Sequence, residues 1–103
     1  MVHSLAPEVH KDLDEIWLSL ARESGSETVA DDQIDAITER FFLLANYPRT
    51  GRARDDDLGP GTRSFPVGDY VIVYDIDGED VQILCVAHAR RDLIALFEGR
   101  FGA

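Results

Sequence analysis

The spacing of apolar residues changes period once along this chain, and that change limits the folds open to it. Over residues 7 to 23, PEVHKDLDEIWLSLARE, the residues Val9, Leu13, Ile16, Trp17 and Leu20 fall on one stripe of a 3.6-residue helix. Residues 70 to 75, YVIVYD, and 81 to 87, VQILCVA, instead concentrate the β-branched and aromatic side chains of strands. A chain that starts in one period and finishes in the other has to stack helices on a sheet, the α+β arrangement.

Local signals place the boundaries. Pro7 suits the first helical position, where a missing N–H costs nothing, and Glu8 faces the positive end of the helix dipole. Lys11, Asp14 and Glu15 lie off the stripe and are expected in water. Gly25 should close this helix in a left-handed conformation, and Ser26 should cap a second one running to about Ala45. In that helix Ile34, Ile37, Phe41 and Leu44 form the apolar stripe, widened by Phe42 and Leu43. So short a connection predicts an antiparallel helical hairpin. Trp17 and Phe41 read as core, with Trp17→Ala costing roughly 3 to 5 kcal/mol.

Residues 48 to 62, PRTGRARDDDLGPGT, have no periodicity and read as a loop. RSFPV at 63 to 67 can add a strand, confined by Pro66 to an edge or a bulge. The Asp-Gly pair in IDGED, between the two longer strand segments, signals a hairpin turn. Tyr70 and Tyr74 share one face of their strand. After His88, RRDLIALFE predicts a short terminal helix with Leu93, Ile94 and Phe97 toward the core and Gly99 as its stop. The expected result is one domain over residues 1–103. Its hairpin packs on a twisted antiparallel sheet of three to four strands, with the helices on one face.

Charge narrows the function. Twenty acidic residues against ten basic ones give a formal charge of -10, and general repulsion from phosphates argues against direct nucleic-acid binding by this chain. The surplus sits in the first half: residues 1 to 48 hold ten acids and three bases, the remainder ten acids and seven bases. No apolar run approaches the roughly 18 residues of a membrane span, and the N-terminus lacks the plan of a signal peptide, so a cytoplasmic location without membrane contact is expected. One cysteine, Cys85, offers neither a disulfide nor a thiolate pair.

Few residues suggest chemistry. His3, His10 and His88 lack metal-ligand spacing, so no metal site is expected. Asp55-Asp56-Asp57 reads as a solvated tip beside Arg52 and Arg54, DIDGED has its glycine at the wrong place for a calcium loop, and Gly59-Pro60-Gly61 lacks the ending of a phosphate loop. Ser4 and Ser64 have no evident base, so no catalytic residue and no cofactor is assigned. The group that stands out is Arg63, His88, Arg90 and Arg91, with Tyr70, by default a packing residue, beside them: the basic residues read as a surface ion network among the surplus acids or, because guanidinium groups bind carboxylates in a bidentate way, as an anchor for an acidic or polar partner segment.

DLDEIW at 12 to 17, YPRTGRAR at 47 to 54, RSFPVGDYVIVY at 63 to 74 and VQILCVAHARRD at 81 to 92 together resemble the ParE branch of the RelE/ParE toxin family, from about Leu5 to Phe97. The resemblance implies a single RelE/ParE-like toxin domain with a short edge strand at Val2 to Leu5. It implies a toxin of a type II toxin-antitoxin module that acts by protein binding, with DNA gyrase as the target. The implied partner is a ParD-like ribbon-helix-helix antitoxin, in a hetero-oligomer. Ala6 stands where the family usually has a capping serine, a difference of roughly 1 kcal/mol.

The sister RelE branch cuts mRNA on the ribosome. Arg63 matches an arginine that both branches carry. The lysine-rich helix and the C-terminal tyrosine of RelE are absent here, which disfavours that alternative of a ribosome-dependent endoribonuclease. A third reading is a toxin-fold binding protein with weakened toxicity.

Overall fold

The computed structural model describes residues 2–102 and runs β1 (His3–Leu5), α1 (Pro7–Ser24), α2 (Glu27–Asn46), a 3-10 turn (Pro48–Thr50), β2 (Arg52–Ala53), β3 (Thr62–Val67), β4 (Tyr70–Asp77), β5 (Asp80–His88) and α3 (Leu93–Phe101). Helix α1 begins at Pro7 without a side-chain cap at Ala6, and its apolar stripe buries Val9 and Ile16. Gly25, at φ 66°, closes it. Ser26 then caps α2, its hydroxyl accepting from the Val29 N–H at 3.3 Å. Ile37, Phe41 and Leu44 of α2 are buried against the sheet, each such side chain stabilising the fold by about 1.5 to 3 kcal/mol.

The sheet has five strands in the order β1-β5-β4-β3-β2, and it is mixed: β1 lies parallel to β5, while the other pairs are antiparallel. Three to four antiparallel strands were expected. The difference comes from the two edges, since three-residue β1 and two-residue β2 are too short to show a period. β2 falls inside the segment expected to be loop, and β1 sits where the family resemblance placed an edge strand. The turn of IDGED forms as expected, Asp77 pairing with Asp80 around Gly78 and Glu79.

Side-chain alternation divides the core in two. Tyr70, Ile72 and Tyr74 of β4 face the hairpin together with Val81, Ile83 and Val86 of β5. Val73, Cys85, Ala87 and Leu84 face the other way, where Leu58 and Phe97 cover them. A register shift between Val73 and Tyr74 leaves Leu84 as the extra residue of β5. Phe97 therefore sets α3 on the face opposite the hairpin, so the expectation of all helices on one face is corrected. No period within the short α3 segment could have told the two faces apart.

Five local expectations change as well. Trp17 is only half-buried, its indole N–H donating to Asp31 at 2.7 Å and linking α1 to α2. Phe42 is 63% exposed and Ile94 45%. On α2 the buried positions are Ala30, Ile37, Phe41, Leu44 and Ala45, and on α3 Phe97 is the one buried among the described residues. Helix α3 starts at Leu93, because the Asp92 carboxylate caps it by accepting from the Ala95 N–H at 3.1 Å. It also runs through Gly99 to Phe101: Phe97 and Arg100 are anchored on either side, which outweighs the roughly 1 kcal/mol that a helical glycine costs.

Candidate functional site

The junction from β5 to α3 is built on backbone pairing. Tyr70 and His88 lie directly opposite each other across β4 and β5, and their rings meet nearly edge to face at 5.4 Å. Beyond His88 the chain turns: the His88 carbonyl accepts from the Arg91 N–H at 2.9 Å, and His88 Nδ1 accepts from the Arg90 N–H at 3.1 Å. With Nδ1 occupied as an acceptor, the neutral ring carries its hydrogen on Nε2, where it can donate outward. Burial, then the charges of Glu23 and Asp69, push the Tyr70 hydroxyl up from its usual range, so Tyr70 stays a neutral donor.

A cavity of about 180 Å³ opens beside this junction, between α1, the ends of β4 and β5, and α3. Tyr70, His88 and Arg91 line it, over an apolar floor that includes Ile16, Val86 and Leu96. Three of the five residues singled out in the sequence therefore share one cavity. Arg90 is exposed on the far side of the turn and does not line it.

Arg63 is somewhere else. It pairs in register with Tyr74, four residues along β4 from Tyr70, or about 13 Å at strand rise, and one strand further over. Its Nη1 donates to the Gly51 carbonyl at 2.7 Å and the Arg49 carbonyl at 3.4 Å. Tyr74 works on the same segment: its hydroxyl donates to the Pro48 carbonyl at 2.6 Å and accepts from the Gly51 N–H at 2.9 Å. A Cβ at Gly51 would collide with the Tyr74 hydroxyl and lie 2.8 Å from the Ser64 carbonyl oxygen, so glycine is required by this approach.

Two residues of the cavity wall were not anticipated. Asp12, 5% exposed, accepts from the Val86 N–H at 3.1 Å, and Arg100 of α3 donates to both of its carboxylate oxygens. The bond to Asp12 raises the Arg100 pKa. Asp12 was legible in helical phase, since it stands three residues after Val9 and four before Ile16 and so on the buried face. Nothing in the local sequence around Arg100 marks its partner 88 residues away.

Cys85 lies beneath α3, its thiol pushed up to about 11 by burial and by the charge of Asp12, and is a core residue without nucleophilic character at neutral pH. At the loop tip Arg54 donates to Asp57 at 2.6 Å, which holds that carboxyl below its usual range. Among the described residues no group of three or more His, Cys, Asp or Glu side chains is placed to hold a metal ion.

Comparison with known proteins bears on what such a surface serves. Residues 4–93 match the family model described as ParE toxin of type II toxin-antitoxin system, parDE. The chain is 38% identical over 87 residues to Toxin ParE3 of Caulobacter vibrioides, covering 84% of this chain and 85% of that protein. It also superposes on a solved structure titled Chromosomal ParDE TA system from P. aeruginosa, with a TM-score of 0.73 and 21% identity, covering 85% of this chain and 95% of the other. At that identity the superposition speaks for the fold.

Proposed function

The chain belongs to the ParE family of type II toxin-antitoxin systems, and from that membership we propose that it arrests growth by binding DNA gyrase and is neutralised by a ParD-like antitoxin. The antitoxin is a ribbon-helix-helix dimer whose C-terminal segment wraps the toxin in a cytoplasmic hetero-oligomer. Among the described residues no helix is long and apolar enough to cross a membrane.

The observation that carries the reading is the character of the groups facing the cavity. Tyr70 offers a hydroxyl kept neutral by burial, His88 an Nε2–H, and Arg91 a guanidinium. These donors converge over an apolar floor, which suits a carboxylate on an amphipathic partner segment. Asp12 is the buried carboxylate of the cavity, and Val86 and Arg100 engage both of its oxygens. A group so held anchors the cavity wall, tying α1 to β5 and α3. We assign the antitoxin segment to this cavity.

The test is a gyrase supercoiling assay with purified protein. Inhibition, or trapping of cleaved DNA, at micromolar protein is expected. Untouched supercoiling together with cut mRNA in translating cells would transfer the protein to the endoribonuclease reading. Harmless overexpression with neither effect would leave a binding protein that has lost its toxicity.

A further inference from the structure

At the opposite end of β4 from Tyr70, eight residues and about 25 Å away, a hollow of about 500 Å³ lies between Tyr47, Pro48 and Arg49 on one side and Ile76 and Gly78 of the β4–β5 hairpin on the other. Tyr47 is 64% exposed on its rim. Phe42, one helical turn before Asn46, continues the apolar surface along α2 and rests edge to face on His3 at 4.8 Å. Tyrosine and arginine are among the residues that dominate binding energy at protein interfaces, where phenylalanine is also enriched.

Two independent features say what the hollow is for. The first is its rigidity. Tyr74, completely buried, and Arg63 together fix the Pro48, Arg49 and Gly51 backbone through four hydrogen bonds from behind, while Tyr47, Arg49 and Thr50 point to solvent. A surface held still before contact loses little freedom on docking. The second is charge. In a chain with twenty acids, Arg49 lines the hollow, is exposed and makes no ion pair among the described residues. That guanidinium complements a carboxylate supplied from outside.

We propose that the Tyr47 hollow docks an acidic segment of the toxin's protein target, with an apolar side chain of that segment seated between Tyr47 and Ile76 and a carboxylate on Arg49. The proposal rests on the reading of this chain as a toxin that acts by binding. It gives the target a surface separate from the antitoxin's cavity. Arg63 and Tyr74 are then positioning residues: they touch no partner and hold the segment that does.

The experiment expresses wild type, Tyr47→Ala and Arg49→Glu without antitoxin and counts viable cells. In parallel it measures each purified protein's thermal midpoint and its affinity for the antitoxin encoded beside it. Both substitutions lie on exposed side chains, so the midpoint is expected to hold. Killing should fall by about tenfold or more, as for loss of an interface anchor, with antitoxin affinity kept within about twofold. Variants that arrest growth as wild type does would overturn the proposal and leave the toxin reading intact. Variants that lose antitoxin binding along with killing, at an unchanged midpoint, would hand the hollow to the antitoxin and overturn it equally. A harmless wild type would bring down the toxin reading and the proposal together.

Discussion

Asp12 and Tyr74 do the same task at two ends of the molecule with different chemistry. Each is buried, and each satisfies backbone that no neighbouring strand reaches. β1 pairs with β5 only from Val81 to Ile83, so further along that edge the Val86 N–H turns to the Asp12 carboxylate. At the other end, the backbone of the 48–51 segment turns to the Tyr74 hydroxyl. Asp12 is charged and therefore needs a second partner, which Arg100 on α3 supplies. Tyr74 is neutral, its hydroxyl pushed up mainly by burial, and needs geometry alone. The carboxylate thus makes the Tyr70–His88–Arg91 cavity depend on a third element, whereas the phenol makes the hollow depend on the sheet already beneath it.

The comparison breaks first at Arg100. Arg100→Ala leaves Asp12 buried without its cation, and a loss of about 3 to 5 kcal/mol is expected in chemical denaturation. Adding Asp12→Asn should restore much of that loss, because the unpaired charge goes. A double variant as unstable as Arg100→Ala alone would show that α3 is held by Phe97 packing and the ion pair is incidental.

A smaller effect is expected at Tyr74. Tyr74→Phe keeps the ring and strands the Gly51 N–H and the Pro48 carbonyl, for about 1 to 3 kcal/mol. Amide exchange should localise the damage: the Gly51 amide ought to speed up while the Val86 amide does not. If both accelerate together, the two stitches are one cooperative unit and the contrast drawn between them fails.

Asp75 sharpens the comparison at the low end. Its Oδ1 is buried with no hydrogen-bond partner, unlike either oxygen of Asp12. Burial, then the charge of Asp77, raise its pKa. A carboxyl raised above its unfolded value stabilises the fold at low pH, and that contribution is lost as pH climbs through the folded value. Asp75→Asn removes the loss, so it should stabilise at pH 7 by less than about 1 kcal/mol, given the solvent around the site. The gain should vanish in acid, where wild-type Asp75 is already protonated. A gain that persists at low pH would assign the effect to packing.

Much of the frame was legible. The stripe of Val9 and Ile16 and that of Ile37, Phe41 and Leu44 became the hairpin's buried face, and the strand segments at 63 to 67, 70 to 75 and 81 to 87 all formed. Trp17 and Phe42 were misjudged because periodicity gives the direction of a side chain and says nothing of how wide the opposing surface is. The five candidate site residues looked like one group on the strength of their types and nearness to the sheet segments. Their separation into a Tyr70–His88–Arg91 cavity, an outward Arg90 and an inward Arg63 depends on register and on the turn after His88.

By itself the sequence determined the helical hairpin, the central antiparallel strands and the acidic surface, because periodicity, turn residues and charge act over a few positions at a time. Only the tertiary structure decided that α3 crosses to the second face, that Asp12 meets Arg100, and that Arg63 and Tyr74 close on the 48–51 segment. Those contacts join residues 12 to 88 positions apart. Hydrogen bonding at such range is set by where strands and helices come to rest, which no local pattern encodes.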